Sequence, residues 1–172
     1  TDPDFFQGSL ADITAAREVL TIPLLRKEFI VDRYQIAEAK AYGADIILLI
    51  AACLSPEEIE EFSSYAKSLG LNVLLEVHNE EELVANIFDT IDAIGVNNRN
   101  LKDFTVSLDH SYDLVNKIPN SYIKVSESGI SDPQTIKDLK SKGFDSFLIG
   151  ENFMKTADPA TAIKEFVALI NA

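Results

Sequence analysis

Short apolar runs recur along this chain at nearly regular intervals, and a segment with helical character separates each pair. Six of them are rich enough in Val, Ile and Leu to form buried strands. These runs begin at residues 24, 46, 73, 93, 122 and 146, and the first is predicted to form a strand over residues 24–30. The helices predicted between the strands include residues 80–88 and 108–117. The intervals of 22, 27, 20, 29 and 24 residues leave room for one helix and two short loops between consecutive strands. Continuous apolar strands that alternate with helices predict a parallel α/β sheet covered on both faces.

Helix-start and helix-stop signals support this alternation. Ser55-Pro56-Glu57-Glu58 combines an N-cap serine, a proline in the first turn and acids near the positive end of the helix dipole. Gly70 predicts where that helix ends, and Ser131-Asp132-Pro133 begins another. Gly43-Ala44-Asp45 and Gly143-Phe144-Asp145 each precede an apolar run, so these two connections from a helix to a strand have similar sequences. Because no linker or low-complexity stretch interrupts the pattern, residues 1–172 are predicted to form a single domain.

Composition excludes several classes of protein. The 28 acidic and 15 basic residues give a net charge of -13, which is unsuited to nucleic acid or to anionic membranes. The longest apolar run covers residues 46–54, and a bilayer crossing takes ~20 residues. We see no secretion signal at the start, and the one cysteine, Cys53, excludes an internal disulfide. These features predict a cytoplasmic protein.

Polar or glycine residues follow five of the six apolar runs. They are Lys27, Glu76, Asn97, the segment Glu127-Ser128-Gly129, and the pair Gly150-Glu151. A parallel barrel brings the carboxyl ends of its strands to one mouth, where barrel enzymes place their chemistry. An open sheet would instead concentrate its site at one switch point, and no Gly-x-Gly-x-x-Gly follows a predicted strand.

The sequence therefore predicts a barrel, although an incomplete one. A complete (βα)8 TIM barrel has eight strands and typically ~250 residues, whereas this chain has six predicted strands in 172 residues. Residues 1–9 resemble the loop that follows a strand. We therefore expect about six parallel strands with outer helices, and we expect roughly two βα units to be missing from the front.

Two of the strand-end residues suggest acid–base chemistry by themselves. At a barrel mouth the Lys27 ammonium could donate a proton to a developing oxyanion, since partial desolvation lowers the pKa of a lysine. Glu76 ends an apolar run, which is costly unless its carboxylate faces water or a cation. Pairing of Glu76 with Lys27 would satisfy both groups. The alternatives are an ordinary surface lysine and an ordinary strand-end glutamate.

The motifs around these residues resemble one known family. Two of them are Leu24-Leu25-Arg26-Lys27-Glu28-Phe29-Ile30 and Val125-Ser126-Glu127-Ser128-Gly129-Ile130, and the motifs are specific as a set rather than singly. The others cover residues 5–9, 43–45, 48–50, 75–78, 94–101 and 148–151. In this order and spacing they resemble the indole-3-glycerol phosphate synthase family, barrel enzymes of tryptophan biosynthesis.

The resemblance implies that the chain corresponds to barrel strands three to eight. The family's first strand carries a catalytic Glu-x-Lys that has no counterpart here, because Glu38-Ala39-Lys40 lies in a predicted helix. We therefore expect the chain by itself to be inactive. The alternative is a noncatalytic fragment that associates through open sheet edges, as a homodimer or with a missing N-terminal segment, and at most binds a phosphorylated ligand. Another phosphate-binding barrel is a weaker alternative.

The resemblance also implies a reaction and a set of site residues. The reaction is ring closure of 1-(2-carboxyphenylamino)-1-deoxyribulose 5-phosphate with loss of carbon dioxide and water, a carbon–carbon lyase activity without cofactor or metal. The implied catalytic residues are Lys27, Glu76, Asn97 and Glu127. Asn97 would orient the substrate, and Glu127 would bind the sugar hydroxyls.

Further residues are implied to hold the substrate. The aromatic ring would contact Phe6, Phe29, Leu48 and Leu101, although such residues are more often plain core. The phosphate would contact Ser128, Gly129, Gly150 and Glu151; a glutamate departs from a simple anion site, and only its backbone N–H suits that role. Arg99 pairs either with the substrate carboxylate or with a neighbouring glutamate. Asn98 is interpreted as a turn residue, and His78, His110 and Cys53 are given no chemical role.

Overall fold

The computed structural model describes residues 1–3, 8–100 and 105–171. Its strands are β1 (Leu25–Arg26), β2 (Ile46–Ile50), β3 (Asn72–Val77), β4 (Ala93–Asn97), β5 (Ile123–Glu127) and β6 (Ser146–Leu148). Its helices are α1 (Leu10–Val19), α2 (Arg33–Ala41), α3 (Pro56–Ser68), α4 (Glu80–Ala85), α5 (Asp109–Leu114), α6 (Pro133–Lys142), α7 (Glu151–Met154) and α8 (Pro159–Asn171).

The six strands form one sheet in chain order, β1-β2-β3-β4-β5-β6. β1 pairs with β2 in parallel, and β2 with β3, with Ile50 opposite Glu76. β5 and β6 are also parallel, and Glu127 lies opposite Leu148. The predicted α/β class with about six parallel strands is confirmed. Among the described residues, no helix combines the length and apolar character that a bilayer crossing requires.

The chain divides into two compact units. The first comprises Thr1–Val77 and Glu81–Ile94, and the second His78–Glu80 and Gly95–Ala172. In the first unit, residues 47–49 of β2 are completely buried. α3 packs on β2 and β3 and buries Ile59 fully. Its predicted start is confirmed, because Ser55 and Glu58 cap the helix reciprocally.

In the second unit, α6 and α8 pack against each other, and β5 pairs with β6. Asp132 caps α6 through the backbone N–H of Gln134. Gly143 ends the helix with a φ of 110°, a left-handed conformation that favours glycine. α8 buries Phe166, whose ring meets that of Phe153 edge to face at 5.3 Å.

Three aspartates fasten the start of one strand to the start of the next. Each lies directly before an even-numbered strand and makes two reciprocal hydrogen bonds with one residue at the start of the preceding strand. In each pair the side-chain Oδ2 accepts the partner's backbone N–H, and the aspartate N–H donates to the partner's carbonyl. The pairs, with these two distances, are Asp45 with Leu24 (2.8 and 2.9 Å), Asp92 with Val73 (2.8 and 3.1 Å) and Asp145 with Lys124 (2.9 and 2.9 Å). We call each pair an aspartate clasp.

Several predicted boundaries were wrong. The first strand was expected over residues 24–30, but β1 ends at Arg26. Gln35 holds the following segment instead, because its side chain donates to the Phe29 carbonyl and accepts the N–H groups of Val31 and Asp32. The helices expected over residues 80–88 and 108–117 are each shorter, and α7 was not predicted.

Candidate functional site

In the first unit, Lys27 follows β1 directly and is half-buried. Its neighbour Arg26 is buried and contacts α2, where Nη2 lies 2.9 Å from Glu38 Oε2 and Nη1 donates to the Gln35 carbonyl at 2.7 Å. Glu28 is also buried, with its carboxylate 3.6 Å from Arg26.

Glu76 lies near the carboxyl end of β3 and is only 1% exposed. Burial raises the pKa of the Cys53 thiol, and the negative charges of Glu76 and Glu82 raise it further. A raised pKa leaves little thiolate at neutral pH, which argues against a nucleophilic role for Cys53.

Asn97 and Arg99 lie at the end of β4 in the second unit. The Asn97 side-chain oxygen accepts the backbone N–H of Arg99 at 2.9 Å, which fixes the turn out of the strand. The Arg99 guanidinium donates to Glu151 Oε2 at 2.6 Å. Of the two partners considered for Arg99, the neighbouring glutamate is the one that it contacts here.

Glu127 ends β5 and is 1% exposed. The chain then turns through Ser128 and Gly129, whose φ angles of 67° and 71° are both left-handed. A Cβ on Gly129 would lie 2.3 Å from Cγ1 of Val106, so neither the conformation nor the available space suits a larger residue. The strand therefore ends in a tightly determined turn.

Gly150 and Glu151 begin α7 after β6. Gly150 has a φ of -118°, which any residue adopts, and a Cβ there would meet nothing within 4 Å. Its glycine is therefore required neither by backbone strain nor by the packing. The carboxylate of Glu151 is mostly exposed and points to Arg99.

The remaining predicted ring contacts differ in burial. Leu48 is enclosed in the core of β2, whereas Phe29 is half-buried in the loop after β1. Phe6 and Leu101 lie outside the described residues. No group of three or more possible metal ligands occurs within residues 1–3, 8–100 and 105–171.

Two buried polar residues near these positions were missed from the sequence. Arg26 connects β1 to α2 beside Lys27, and the Asn98 side chain contacts the segment after β5. An arginine between apolar strand residues and two consecutive asparagines at a strand end were the available signals. Both are weak, since arginine and asparagine are mostly exposed in proteins.

The parallel sheet also has close counterparts among solved structures. A 3-hexulose-6-phosphate synthase from Salmonella typhimurium matches with a TM-score of 0.78 over 94% of this chain and 80% of that chain. Its sequence identity is 18%, so the likeness concerns the fold alone. The class defined by this fold is the TIM-barrel type.

Sequence comparison defines the chain more narrowly. A family model for indole-3-glycerol phosphate synthase matches residues 1–166. The enzyme of that name from Bacteroides thetaiotaomicron is 49% identical over 170 residues, which are 99% of this chain and 65% of that protein. The one from Sulfurimonas denitrificans is 47% identical over 165 residues, 96% of this chain and 63% of that protein. The chain belongs to the indole-3-glycerol phosphate synthase family, and it spans just under two thirds of the length of these relatives.

Proposed function

We propose that the protein encoded by the gene for this chain closes the indole ring of 1-(2-carboxyphenylamino)-1-deoxyribulose 5-phosphate. One observation carries the proposal: the chain is 49% identical to an indole-3-glycerol phosphate synthase over nearly all its residues. The polar residues at the carboxyl ends of parallel strands support it, since barrel enzymes use those ends for chemistry.

In this proposal the chemistry is proton transfer without a cofactor. The ring carbon that bears the carboxylate attacks the ketose carbonyl carbon, and the Lys27 ammonium gives a proton to the carbonyl oxygen. Carbon dioxide then leaves, and the electrons of the broken bond restore the aromatic ring. Loss of a proton from the adjacent sugar carbon and of the new hydroxyl as water completes the pyrrole. Glu76 serves as the proton-transfer partner, while Asn97 orients the substrate.

The remaining residues bind and orient the substrate. Glu127 binds the sugar hydroxyls, and Arg99 binds the substrate carboxylate after exchanging its contact with Glu151. Ser128, Gly129, Gly150 and the Glu151 N–H address the phosphate, and Phe6, Phe29, Leu48 and Leu101 contact the ring. A phosphorylated small molecule is thus the proposed partner. The single cysteine supports a reducing compartment, the cytoplasm, as the place of action.

Replacement of Lys27 tests the proposal. In the protein as its gene encodes it, Lys27→Met should lower kcat by about 10²–10⁴-fold, the usual value of a positioned proton donor. Turnover is followed by the fluorescence of the indole product. Lys142→Met, at an exposed lysine in the last turn of α6, is the matched control and should leave kcat unchanged. Absence of turnover in the folded unmodified protein would refute the proposed function.

We also propose that the 172-residue chain needs further family sequence for activity. The Glu-x-Lys implied by the family is not found at a strand end of this chain, and the curated relatives carry further residues outside the aligned region. In the second unit, an apolar groove of about 370 Å³ lies along α6, β6 and α8. Its lining includes Ile136, Phe147, Ile149, Ile163 and Phe166. We assign this groove to a segment of that further sequence.

The isolated chain provides the test. We expect it to show no turnover, to bind an apolar dye and to associate in sedimentation, because an open apolar surface and sheet edges invite pairing. The protein as its gene encodes it is the reference. A monomeric isolated chain that binds no dye would contradict the assignment of the groove, and turnover by that chain would contradict the need for further sequence.

A further inference from the structure

We propose that Asn98 is a positioning residue for phosphate binding, because it clamps the left-handed turn at Ser128 and Gly129. The inference rests on the proposed function, which gives this turn to the substrate phosphate. Asn98 itself is completely buried, so it acts through the turn and touches no substrate.

The side-chain amide of Asn98 faces three acceptors from β5 and the turn. Nδ2 lies 3.1 Å from Ser126 Oγ, 3.0 Å from the Glu127 carbonyl oxygen and 3.2 Å from the Ser128 carbonyl oxygen. The backbone N–H of Asn98 also donates to the Glu127 carbonyl, at 2.9 Å. The two carbonyls held in this way belong to the peptide groups on either side of the Ser128 Cα. The orientation of both peptide planes at Ser128 is therefore tied to one buried amide.

The clamped residue is one whose backbone is strained. Ser128 is the non-glycine residue with positive φ among those that the structure describes, and a left-handed conformation is unfavourable for a residue with a Cβ. Such a conformation persists only where the surroundings over-determine it, and it is often found at functional sites. The hydrogen bonds from Asn98 act directly on the peptide groups that define φ and ψ of Ser128, and the Ser128 N–H adds a bond to the Leu148 carbonyl at 3.3 Å.

Hydrogen bonds from other buried residues fix the Asn98 side chain in place. Its Oδ1 accepts the backbone N–H of Ser111 at 3.3 Å, and the hydroxyls of Ser111 and Ser126 lie 2.8 Å apart. Ser111 and Ser126 are both completely buried. Buried polar networks whose members are satisfied are rigid, so the network fixes the rotamer of Asn98 and leaves its N–H groups aimed at the turn.

A role in phosphate binding follows from the location of the turn. Loops after late barrel strands commonly build the phosphate site with backbone N–H groups. Backbone donors contribute only if their direction is fixed before the anion binds, because ordering them afterwards lowers the affinity. A turn held open by Asn98 would present such donors in advance. A purely structural asparagine would stabilise the fold without affecting phosphate affinity.

The test uses Asn98→Asp in the protein as its gene encodes it. Aspartate keeps the shape of the side chain but replaces the two N–H donors by an acceptor, so that it repels both carbonyls. We expect the KM for substrate and the inhibition constant of inorganic phosphate to rise together by about tenfold, the effect of losing a buried hydrogen-bond partner. We expect kcat to change much less. Asn86→Asp is the matched control, because Asn86 is also buried and donates to a backbone carbonyl, that of Glu82.

A second substitution distinguishes the clamp from general damage to the fold. Ser128→Gly removes the Cβ that makes the left-handed conformation costly, so the turn no longer depends on the clamp. The effect of Asn98→Asp on phosphate affinity should therefore be several-fold smaller in the Ser128→Gly background than in the unmodified protein. An equal effect in both backgrounds would overturn the inference. Where Asn98→Asp alone does not fold, Asn98→Ser replaces it in the same comparison.

Phosphate binding is also measured directly by phosphorus NMR, so that the result does not depend on turnover. Absence of turnover together with phosphate binding that Asn98→Asp weakens would refute the proposed function and support the clamp. Unchanged phosphate affinity in Asn98→Asp, with a loss of thermal stability like that of Asn86→Asp, would leave Asn98 a structural residue and refute the inference.

Discussion

Gly129 and Gly150 both follow the ends of strands, but their backbone conformations and the space around them differ. Gly129 has a φ of 71° and no space for a Cβ beside Val106, whereas Gly150 has an ordinary φ and open space around it. Both are assigned to the phosphate by the family resemblance. Backbone conformation and packing therefore require glycine at position 129. At position 150 they do not, which leaves the ligand as the reason for glycine there.

This contrast gives a prediction at the level of single residues. Gly129→Ala should lower the free energy of unfolding by about 1–3 kcal/mol, because a methyl group is disfavoured at positive φ and collides with Val106. Gly150→Ala should leave stability within about 0.5 kcal/mol but raise the KM for a phosphorylated substrate. Urea denaturation and steady-state kinetics measure the two quantities. Equal loss of stability in both variants would contradict the assignment.

The candidate site could be predicted from the sequence at its strand ends but not in the network behind them. Lys27, Glu76, Asn97 and Glu127 each interrupt an apolar pattern, which makes them visible without coordinates. Asn98 was interpreted as a turn residue because asparagine favours turns for local reasons. The contacts of its Nδ2 span 28 to 30 residues of sequence and that of its Oδ1 spans 13, and a local pattern contains no information about such partners.

Among the secondary-structure elements, the aspartate clasps connect the starts of neighbouring strands. Each closes two hydrogen bonds between neighbouring strand starts, and Asp45 is additionally paired with Arg17 at 2.6 Å. The Leu24 N–H, followed by the Arg17 guanidinium, lowers the pKa of Asp45 below its usual value. A lowered pKa in the folded state means that the ionised carboxylate stabilises the fold.

The clasp at Asp45 therefore gives a pH-dependent prediction. Its contribution is fully present above the unfolded-state pKa of about 3.9 and is lost as the pH falls through the lower folded-state pKa. Asp45→Ala should cost about 1 kcal/mol at pH 7, and this difference from the unmodified protein should shrink in acid. Denaturant titrations at several pH values measure it. Asp89→Ala, at an exposed residue in the turn after α4, is the control; a cost for Asp45→Ala that stays constant down to acidic pH would contradict the mechanism.

The elements themselves were mostly predictable, because apolar runs and helix caps are local signals. Ser55 and Asp132 start α3 and α6 as expected. β1 was predicted too long, since the half-buried Phe29 and the buried Ile30 lie in a loop that Gln35 holds. The aspartate clasps were not predicted: the sequence showed only that Gly43-Ala44-Asp45 and Gly143-Phe144-Asp145 are alike, and no glycine precedes Asp92 at that spacing.

At the scale of the whole molecule, the order of the strands was the most predictable property and activity the least. Short intervals between apolar runs, together with polar residues at five strand ends, favour a barrel in which each strand pairs with the next, and β1-β2-β3-β4-β5-β6 is that order. The proposed need for sequence outside the aligned region, which is about two thirds of each relative, rests on the family resemblance, and no pattern inside this chain reports it. Family membership and activity of the isolated chain are therefore separate questions.

The recurrence of the clasps suggests how such a chain can be rearranged. The hydrogen-bond partners of Asp45, Asp92 and Asp145 lie 21, 19 and 21 residues earlier in the chain. Each aspartate clasp is therefore contained within one strand–helix–strand segment. Crossover points placed between successive aspartate clasps would separate no aspartate from its hydrogen-bond partner. Chimeras of homologous proteins joined at those points should keep every aspartate clasp intact. Chimeras joined between an aspartate and its clasp partner should not.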